Sequence, residues 1–523
     1  RQGQDRVAHI VTFATIKAKQ AIRDAARVLG LPFSSGDRVA KLMPPMILGN
    51  TATISECLSL DEENTSGYSK EFYSASEELR KQYKNDEEAK QIIDIALGLE
   101  GLRRQDGIHA AAIVISPDTI TKFLPIQQKG SNAEIVTQYE MHTVEQLGLL
   151  KMDFLGLRNL SIVDRTLELI GSESLDIDNL KLDDEKTFKL FAEGKMTGVF
   201  QLESRVAQST SRSLKPKRFE DIVALVALIR PGPLGAGMHN EFADRANNRK
   251  EIEYLHSDLE SILNETYGVI LYQEQVMQIA EKIAGFNLQE ADNLRVAMGK
   301  KIPKVMEEQR KKFTDGAVSN NYSEQFAIEL FDQIAYFAGY GFNKSHSVPY
   351  ALLAYQTAYL KANYPAEYIA ACLTAVKRDK DRTAIFLSEA RDMGVKVSTP
   401  DVNLSSSDFT VNDNEILFGL SAVRNVGDIT ADKIVFERES NGDFKSIEEF
   451  LSRIDSRSLN KRGVEALIQG GGLDKFGHTR KGMFDAVIDL IENAKELKAT
   501  KENNQASLFP IEEANSTSIN IKS

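Results

Sequence analysis

Hydrophobic residues recur every three or four positions along most of the chain, which is the spacing of an amphipathic α-helix. From Ala8 to Gly30 they recur in this way with basic side chains between them, which predicts one helix that ends at Gly30-Leu31-Pro32. The same pattern predicts helices in residues 55–96 and in most of residues 161–376. Two regions depart from it, and both favour strands.

The first departure lies in residues 107–160. Apolar, β-branched runs separated by Pro, Gly, Ser and Asn follow one another there, namely AAAIVIS, KFLPI, EIVTQYE and GLLKMDFLGL. Such runs predict a sheet of about three or four strands, and the last, largely apolar run is expected to be a buried strand. The second departure is DFTVNDNEILFGL, residues 408–420, which predicts a hairpin. The pattern as a whole predicts an α+β fold that is mostly helical.

The composition narrows the class of protein without indicating a function. In 523 residues, 64 basic and 76 acidic side chains give a net charge of −12, and 42% of the residues are apolar. This excludes a disordered tail, a collagen-like fibre and a disulfide scaffold, and the length predicts about three to four domains. There is no long apolar run and no signal-peptide pattern, so we expect a cytoplasmic protein with no membrane partner. Cys57 and Cys372 stand alone, which argues against structural zinc.

Charge is segregated along the chain although its total is acidic. Residues 1–41 carry eight basic and three acidic side chains, a local +5, whereas residues 55–96 carry eleven acidic and five basic ones, a local −6. The acidic total argues mildly against nucleic acid as a partner, since phosphate binding requires a basic surface. Either local block is equally typical of a solvated helix face.

The strand predicted in LLKMDFLGL carries the first candidate site. Because successive side chains of a strand point to opposite faces, Lys151 and Asp153 share one face and Met152 and Phe154 share the other. A carboxylate that binds Mg²⁺ beside an ammonium that contacts phosphate oxygens suits a metal-bound phosphate. An ion pair at the end of a strand is the alternative interpretation.

A basic cluster occupies residues 293–313. It contains seven basic and two acidic side chains, a local +5, and Gly299 and Pro303 place Lys300 and Lys301 in a bend between two helical segments. Such a bend can hold a triphosphate or a DNA backbone. A solvated helix face remains the alternative.

The stretch FAGYGFNKSHSVPYALLAYQ, residues 337–356, presents polar and basic side chains immediately before a predicted helix. The N-terminus of a helix attracts anions, so Lys344 and His346 are candidates for contact with a nucleotide. Nucleophilic catalysis by a Ser-His pair is the weaker alternative, because neighbours in sequence rarely face each other properly and no acidic residue is evident to orient the imidazole.

Residues 420–439, LSAVRNVGDITADKIVFERE, predict two helices joined by a tight turn at Val426-Gly427. The pattern resembles a helix-hairpin-helix, in which the amides of the turn contact a phosphate without reading bases. Asn425 stands where the first glycine of that turn is usual, and any helical hairpin with a glycine in its turn could look similar. Farther on, a polar tail contains QASLF, Gln505–Phe509, which favours an exposed peptide ligand over a packed element.

Several long strings, in a fixed order, resemble the alpha subunits of bacterial DNA polymerase III, the C family of replicative DNA polymerases. The strings are LLKMDFLGLRNL, GVFQLES, ALIRPGPL, GVILYQEQVMQIA, LRVAMGKK and FAGYGFNKSHS. The resemblance extends from the first residues to the QASLF tail. It implies a DNA-directed DNA polymerase, a nucleotidyltransferase that extends a primer 3′-hydroxyl by two-metal phosphoryl transfer with two Mg²⁺ ions.

The resemblance also implies an order of domains. Residues 1–108 are expected to form a helical thumb, residues 109–165 the C-terminal part of a palm with its sheet, and residues 166–376 helical fingers. Residues 377–510 are expected to form a clamp-binding region that contains the helix-hairpin-helix, and residues 511–523 a tail.

By the same resemblance, individual residues receive roles. Asp153 matches the third catalytic carboxylate of the family and is expected to bind metal. The residues expected to contact nucleotide or phosphate are Lys151, Arg230, Arg295, Lys300, Lys301, Lys344 and His346. Those expected at DNA are Lys17, Lys19, Arg23, Val426 and Gly427, and those expected at the sliding clamp are Gln505, Leu508 and Phe509. The implied partners are primer-template DNA, deoxynucleoside triphosphates and the sliding clamp, with a proofreading 3′–5′ exonuclease and clamp-loader subunits for the intact protein.

Two departures from the family pattern qualify these roles. The family has two adjacent arginines where this chain has Arg295-Val296, which affects one phosphate contact. The paired aspartates of the family's metal site are expected before Arg1, so we expect a piece of a polymerase that does not polymerise alone. A non-catalytic module that binds DNA and clamp, and the damage-tolerant paralogue of the same family, remain alternatives. The clamp peptide and the long C-terminal segment favour the replicative form.

Overall fold

The structure is a computed structural model of the chain, and it describes residues 3, 5–45, 51–59, 69–128, 130, 133–171, 175–300, 303–338, 341–455 and 458–504. Lys301, Gln505, Leu508 and Phe509 lie outside the described residues, and so does the side chain of Lys300. The chain divides into two compact units, Arg1–Gly156 and Leu157–Ser523.

The first unit contains a five-stranded sheet and a group of helices. Its helices and strands are β1 Val7–Thr15, α1 Ala18–Val28, α2 Phe33–Ala40, α3 Ile54–Leu58, α4 Ser69–Ser74, α5 Glu77–Asn85, α6 Glu87–Leu99, β2 Arg103–Ile115, β3 Ile126–Gln127, β4 Val136–Thr137, α7 Met141–Gln146 and β5 Leu150–Asp153. The order of strands in the sheet is β3-β4-β1-β2-β5. Its centre is the long antiparallel pair β1 and β2.

β1 shows that the prediction of one helix from Ala8 to Gly30 was wrong in its first half. Val7–Thr15 is a strand whose Val7 lies opposite Ile115 of β2, and the helix begins only at Ala18. The β-branched and aromatic residues of VAHIVTFAT favour a strand, but over so short a window their apolar positions also fit a helix. Pairing with β2, which is distant in sequence, decides between the two.

β5 is an edge strand and not the buried strand that its apolar sequence predicts. It pairs with β2, with Met152 opposite Ile113, and among the described residues no strand pairs with its other edge. Leu150, Phe154 and Leu155 are exposed by 58%, 62% and 82%. An apolar strand at the edge of a sheet presents unpaired backbone groups and apolar side chains for further pairing.

Two apolar clusters support the first unit. The larger lies among the helices, where Ile22, Ile54, Ile92 and Ile93 are fully buried. The smaller lies between the sheet and α7 and includes Ile10 and residues of β2. Burial of these aliphatic side chains holds β1 and β2 in register and thereby positions β5 beside them.

The regular elements described in the second unit are helices and one small sheet. Its helices and strands are α8 Arg158–Ile170, α9 Glu185–Glu193, α10 Arg205–Leu214, α11 Phe219–Leu228, α12 Pro231–Gly235, α13 Met238–Ala246, α14 Glu260–Leu263, α15 Gln273–Ala284, α16 Leu288–Lys300, α17 Pro303–Ser319, α18 Glu324–Ala338, α19 Lys344–Asn363, α20 Pro365–Val376, α21 Lys380–Asp392, β6 Lys396–Val397, β7 Thr410–Asn412, β8 Glu415–Leu417, α22 Asp428–Asn441, α23 Ile447–Arg453, α24 Lys461–Gly470, α25 Arg480–Asp485 and α26 Val487–Asn504. The predicted α+β, mostly helical class is confirmed.

Among the described residues, the apolar side chains of the second unit gather in separate clusters. One surrounds the packed pair α11 and α19 and includes Phe242 and Tyr355. Another joins α15, α16, α17 and α18 around Phe331. A third packs α20 against α8 and α21, and a fourth lies among α22, α23, α24 and α26 around Phe450. The pair α11 and α19 places the start of α19 beside the turn that follows α11.

The predicted hairpin is confirmed in β7 and β8, where Thr410 lies opposite Leu417 in a sheet of order β6-β8-β7. The predicted helix-hairpin-helix differs in its first helix, which is a single 3-10 turn, Leu420–Ala422. The second helix, α22, buries Ala431 and Ile434. Across the described part of the chain, every helix is too short or too polar to cross a membrane.

Candidate functional site

Lys151 and Asp153 lie side by side on β5, as the period of a strand predicts. Lys151 Nζ is 3.1 Å from Asp153 Oδ2 and 3.6 Å from Glu145 Oε1 at the end of α7. The hydrogen bond to Asp153 raises the pKa of the Lys151 ammonium. The Lys151 side chain is 18% exposed and that of Asp153 is 43% exposed, so the carboxylate is the more accessible group. The ion pair of the alternative interpretation is therefore present, with Asp153 still open to a ligand.

A metal ion requires more donors than this strand provides. Protein sites for Mg²⁺ combine one or two carboxylates with waters and substrate phosphates, and a two-metal centre needs several carboxylate oxygens. Within the described ranges there is no group of three or more His, Cys, Asp or Glu side chains that could hold an ion. The described residues therefore contain one predicted ligand, Asp153, and do not by themselves form the two-metal centre that the resemblance implies.

In the second unit, three of the predicted phosphate-binding residues gather at the start of α19. The Arg230 guanidinium lies over the ring of Phe342, 4.2 Å from its centroid. The His346 ring meets the same ring edge-on at 5.5 Å and the ring of Tyr350 at 4.3 Å. Lys344 is the first residue of α19. Burial lowers the pKa of the Arg230 guanidinium. The structure thus brings Arg230 and His346 together around Phe342, and the Lys344 ammonium lies 5.7 Å from the centroid of the Tyr272 ring.

The N-terminus of α19 binds a carboxylate of the chain itself. Glu274 of α15 accepts the backbone N–H of Lys344 at 2.9 Å and that of Ser345 at 3.4 Å. The side chain of Asn343 accepts the backbone N–H of His346 at 2.8 Å. The anion-attracting helix end that the sequence predicts is present, and in this structure Glu274 occupies it.

A cavity of about 640 Å³ lies beside Lys344. Arg218, Glu265 and Lys344 contribute to its wall, and Lys344 Nζ is 2.7 Å from Glu265 Oε2. Arg218 Nε donates to Asp221 Oδ1 at 3.1 Å. Two cations therefore border a cavity of the size of a small-molecule site, and each has an acidic partner. A phosphate group bound there would compete with Glu265 for the Lys344 ammonium.

The basic cluster of residues 293–313 is interrupted as the sequence predicts. α16 ends at Lys300 and α17 begins at Pro303. Arg295, in α16, donates from Nε to Asp292 Oδ1 at 2.8 Å. Among the described residues, no hydrogen bond or ion pair joins Arg295 to the residues gathered at the start of α19, so the structure does not bring these predicted phosphate contacts together.

The three predicted DNA contacts on α1 differ in accessibility. Lys17 and Lys19 are exposed at the beginning of the helix. The guanidinium of Arg23 donates twice to Asp37 Oδ1, from Nε at 3.1 Å and from Nη2 at 2.8 Å. Arg23 therefore connects α1 to α2, and the two lysines offer the more accessible positive charge.

The turn before α22 has the backbone that a glycine would favour. Asn425 has a φ of 62°, in the left-handed region that Asn tolerates better than most residues. The Val426 side chain is buried, and its N–H donates to the carbonyl of Val423 at 3.0 Å. Gly427 is exposed and precedes α22 as its N-cap. Of the two predicted phosphate contacts in the turn, Gly427 is the accessible one.

The fold and these sites define the class: a mostly helical α+β protein of two compact units that carries a helix-hairpin-helix region. Within that class, the chain belongs to the family of bacterial DNA polymerase III alpha subunits. Residues 1–156 match the family model described as the bacterial DNA polymerase III alpha NTPase domain, and residues 159–321 match the finger domain of the same subunit. Residues 394–483 match a helix-hairpin-helix motif.

Curated relatives agree with these matches. The DNA polymerase III subunit alpha of Mycobacterium tuberculosis (strain ATCC 25618 / H37Rv) is 41% identical over 516 residues, which is 97% of this chain and 43% of the relative. That of Thermus aquaticus is 43% identical over 518 residues, 97% of this chain and 41% of the relative. That of Escherichia coli (strain K12) is 41% identical over 522 residues, which is 97% of this chain and 43% of the relative. The chain thus spans less than half the length of these relatives.

Sequence reasoning missed the acidic residues that engage the predicted cations. Glu265 and Glu274 precede Lys344 by 79 and 70 residues, and no local pattern brings them to it. The available signal was the string GVILYQEQVMQIA, which contains Glu274 and contributes to the family resemblance. Its position at the start of α15, facing the start of another helix, becomes evident only in the folded unit.

Proposed function

We propose that this chain is part of a DNA-directed DNA polymerase of the replicative C family, which extends a primer 3′-hydroxyl with deoxynucleoside triphosphates. The observation that carries the proposal is identity of 41–43% with three DNA polymerase III alpha subunits over 97% of the chain. In this proposal residues 1–108 act as the thumb, 109–165 as part of the palm, 166–376 as the fingers and 377–510 as the clamp-binding region.

Asp153 is proposed as one carboxylate of an Mg²⁺ site that other carboxylates complete. The exposure of Asp153 on β5 supports this role. Lys151 Nζ is 3.1 Å from Asp153 Oδ2, and the Lys151 ammonium can exchange its hydrogen bond to Asp153 for one to a phosphate oxygen when Asp153 binds the metal. When bound, Mg²⁺ would supply Lewis-acid stabilisation of the phosphate charge. The open edge of β5 supports pairing with a further strand, and such a strand is where the missing carboxylates are expected.

Phosphate contact in the second unit is proposed for Arg230, Lys344 and His346, with the cavity beside Lys344 as the nucleotide-sized space. Lys344 would exchange Glu265 for a phosphate oxygen. Arg295, Lys300 and Lys301 are proposed to contact phosphates at the bend between α16 and α17. Because Lys344 and Arg295 already have the acidic partners Glu265 and Asp292, the net gain from a phosphate at either cation is the difference between two ion pairs.

DNA contact is proposed at two places. Lys17 and Lys19, with Arg23 behind them, would meet the backbone of the primer-template duplex, and the turn at Val426-Gly427 would meet a phosphate. Gln505, Leu508 and Phe509 are proposed to bind the sliding clamp, with the two apolar side chains in a pocket of the clamp. The proofreading exonuclease and the clamp loader remain proposed partners of the intact protein.

The DNA contact is tested by measuring the affinity of the chain for a fluorescent primer-template duplex at several salt concentrations. The double variant Lys17→Ala with Lys19→Ala should bind more weakly and should lower the slope of log affinity against log salt by about two. Lys84→Ala with Lys90→Ala, two exposed lysines of the same unit, serves as the matched control. Equal slopes in both double variants would exclude Lys17 and Lys19 from the DNA contact.

The catalytic assignment is tested by primer extension with Mg²⁺. The 523-residue chain alone should incorporate no nucleotide, whereas a full-length parent should, and Asp153→Asn in that parent should reduce its rate at least about a hundredfold at unchanged DNA affinity. Incorporation by the chain alone, above that of its own Asp153→Asn variant, would contradict the proposed incomplete site.

A second candidate function is a module that binds DNA and clamp without catalysis. The observation that favours it is that, among the described residues, the acidic side chains at β5 do not form a group that could hold a metal ion, and Asp153 pairs with Lys151 instead. The two candidates differ in the parent protein: a parent that binds primer-template DNA and clamp but never extends the primer, at any Mg²⁺ concentration, would establish the module and exclude the polymerase.

A further inference from the structure

A cavity of about 990 Å³ lies in the second unit, between α21, β6, the turn before α22, and α24. We propose that it binds an extended peptide of a partner protein in which acidic residues flank aliphatic side chains. The proposal is independent of the polymerase function and of the duplex contact proposed for Gly427. Three features of the cavity support it: its charge, the chemistry of its wall, and an unpaired strand edge.

Arginines without partners border this cavity. Arg391, Arg424 and Arg462 line it and are exposed, and within the described ranges no hydrogen bond or ion pair involves their guanidinium groups. The acid in the lining is Glu465, whose carboxylate lies 3.7 Å from the ammonium of Lys461. Guanidinium groups bind carboxylates through two parallel hydrogen bonds, so charge complementarity calls for an anionic ligand.

The apolar residues in the wall of the cavity are mainly aliphatic. Leu387, Val397, Ala422 and Ala466 are partly buried there, and Phe418 is the aromatic residue of the lining. Such a wall accommodates the side chain of a Leu, Ile or Val residue. Proteins that bind single-stranded nucleic acid stack successive bases on several aromatic side chains, which this lining does not offer. The wall therefore favours a peptide over a nucleic acid.

Among the described residues, no strand pairs with the outer edge of β6, and β6 lines the cavity. Residues 395–400 all line it, and β6 stands at the end of the strand order β6-β8-β7. The N–H of Ser398 donates to the carbonyl of Ile416 in β8 at 2.9 Å. Alternation along the strand directs the backbone groups of Val397 to the opposite edge. An extended peptide that pairs with such an edge gains main-chain hydrogen bonds, and its alternate side chains reach the cavity and the arginines.

The test is the fluorescence anisotropy of a fluorescein-labelled hexapeptide, with two leucines between two pairs of glutamates, titrated with the 523-residue chain. Arg424→Glu with Arg462→Glu should weaken binding at least about tenfold. Lys186→Glu with Arg205→Glu is the matched control, because both are exposed cations in the first turns of other helices, and it should change the affinity less than about twofold.

A second variant distinguishes two causes of weaker peptide binding, a filled cavity and a lost positive charge. Ala466→Phe should also weaken binding about tenfold while the salt dependence stays that of the native chain. A hexapeptide with lysines in place of the glutamates should not bind. Unchanged affinity in both cavity variants would overturn the proposal. Displacement of the peptide by a single-stranded oligonucleotide whose own binding is weakened by Ala466→Phe would also overturn it. Peptide binding that is detected only after removal of residues 505–523 would do the same.

Discussion

At the scale of single residues, Tyr267 connects the wall of the nucleotide-sized cavity with the stability of the second unit. Its hydroxyl donates to Asp221 Oδ1 at 2.9 Å, and the Arg218 guanidinium lies 4.9 Å from the centroid of its ring. Burial, followed by the negative charge of Asp221, raises the pKa of Tyr267 to about 12. The proton of this hydroxyl therefore stays on the folded protein at a pH where the unfolded chain loses it.

Tyr267→Phe should lower the free energy of unfolding by about 1–3 kcal/mol at neutral pH, because a hydrogen bond to a buried carboxylate is lost. Between about pH 10 and about pH 12 the native folded state holds more protons than its unfolded state, so native stability falls as pH rises. The difference between native protein and variant should shrink over this range in urea unfolding. Tyr139→Phe, at an exposed tyrosine, is the control. A difference that stays constant to about pH 12 would contradict the assigned role of burial.

The backbone of Asn425 provides a second prediction at this scale. Its φ of 62° strains a β-branched residue, so Asn425→Val should lower the free energy of unfolding by about 1–2 kcal/mol, whereas Asn425→Gly should leave it nearly unchanged. Chemical denaturation measures both. Asn412→Val is the matched control, since Asn412 is exposed in strand β7, where valine is favoured. Equal effects of valine at the two positions would show that the turn relaxes.

At the scale of elements, the period of apolar residues predicts secondary structure well for long segments and poorly for short apolar ones. α22 and the β7-β8 hairpin follow their sequence patterns, because each combines a long or alternating pattern with local turn residues. β1 was predicted as a helix, and β5 was predicted as buried. Both errors concern the sheet of the first unit, in which the neighbours of a strand come from distant parts of the chain.

The exposed edge of β5 should make the isolated chain self-associate. Leu150 and Met152 of β5, with Phe154 just beyond it, lie on one face, and among the described residues no strand pairs with the outer edge of β5; this arrangement promotes pairing between molecules. Met152→Lys should reduce self-association in light scattering and leave the unfolding temperature nearly unchanged, because Met152 is 39% exposed. Leu288→Lys, at a residue 68% exposed on α16, is the control, and an equal reduction by both variants would remove β5 as the cause.

At the scale of the whole molecule, the two units have separate apolar clusters, so we expect them to unfold in separate transitions. Ile93→Ala, in the first unit, and Phe331→Ala, in the second, each leave a cavity in a core and should cost about 2–5 kcal/mol. Each should lower one calorimetric transition and leave the other in place. A single transition that moves with both substitutions would show that the units unfold as one.

In the candidate site, the sequence likewise predicts local features but not contacts between distant residues. Lys151 and Asp153 were placed on one face of a strand from its period alone, and the break between α16 and α17 followed from Gly299 and Pro303. The pairing of Lys344 with Glu265 had no local signal, because the partners are 79 residues apart. Glu274 at the start of α19 is a contact of the same kind.

The sequence by itself determined the family, the mostly helical α+β class, the helix-hairpin-helix region and the residues that carry charge, because these depend on composition, on strings in a fixed order and on local periodicity. The tertiary structure alone decided that Val7–Thr15 is a strand, that β5 lies at the edge of its sheet, and that Lys344 meets Glu265 and Glu274. Strand pairing and ion pairs join segments far apart in the chain, and their energies are gained only when packing of the whole unit brings those segments together.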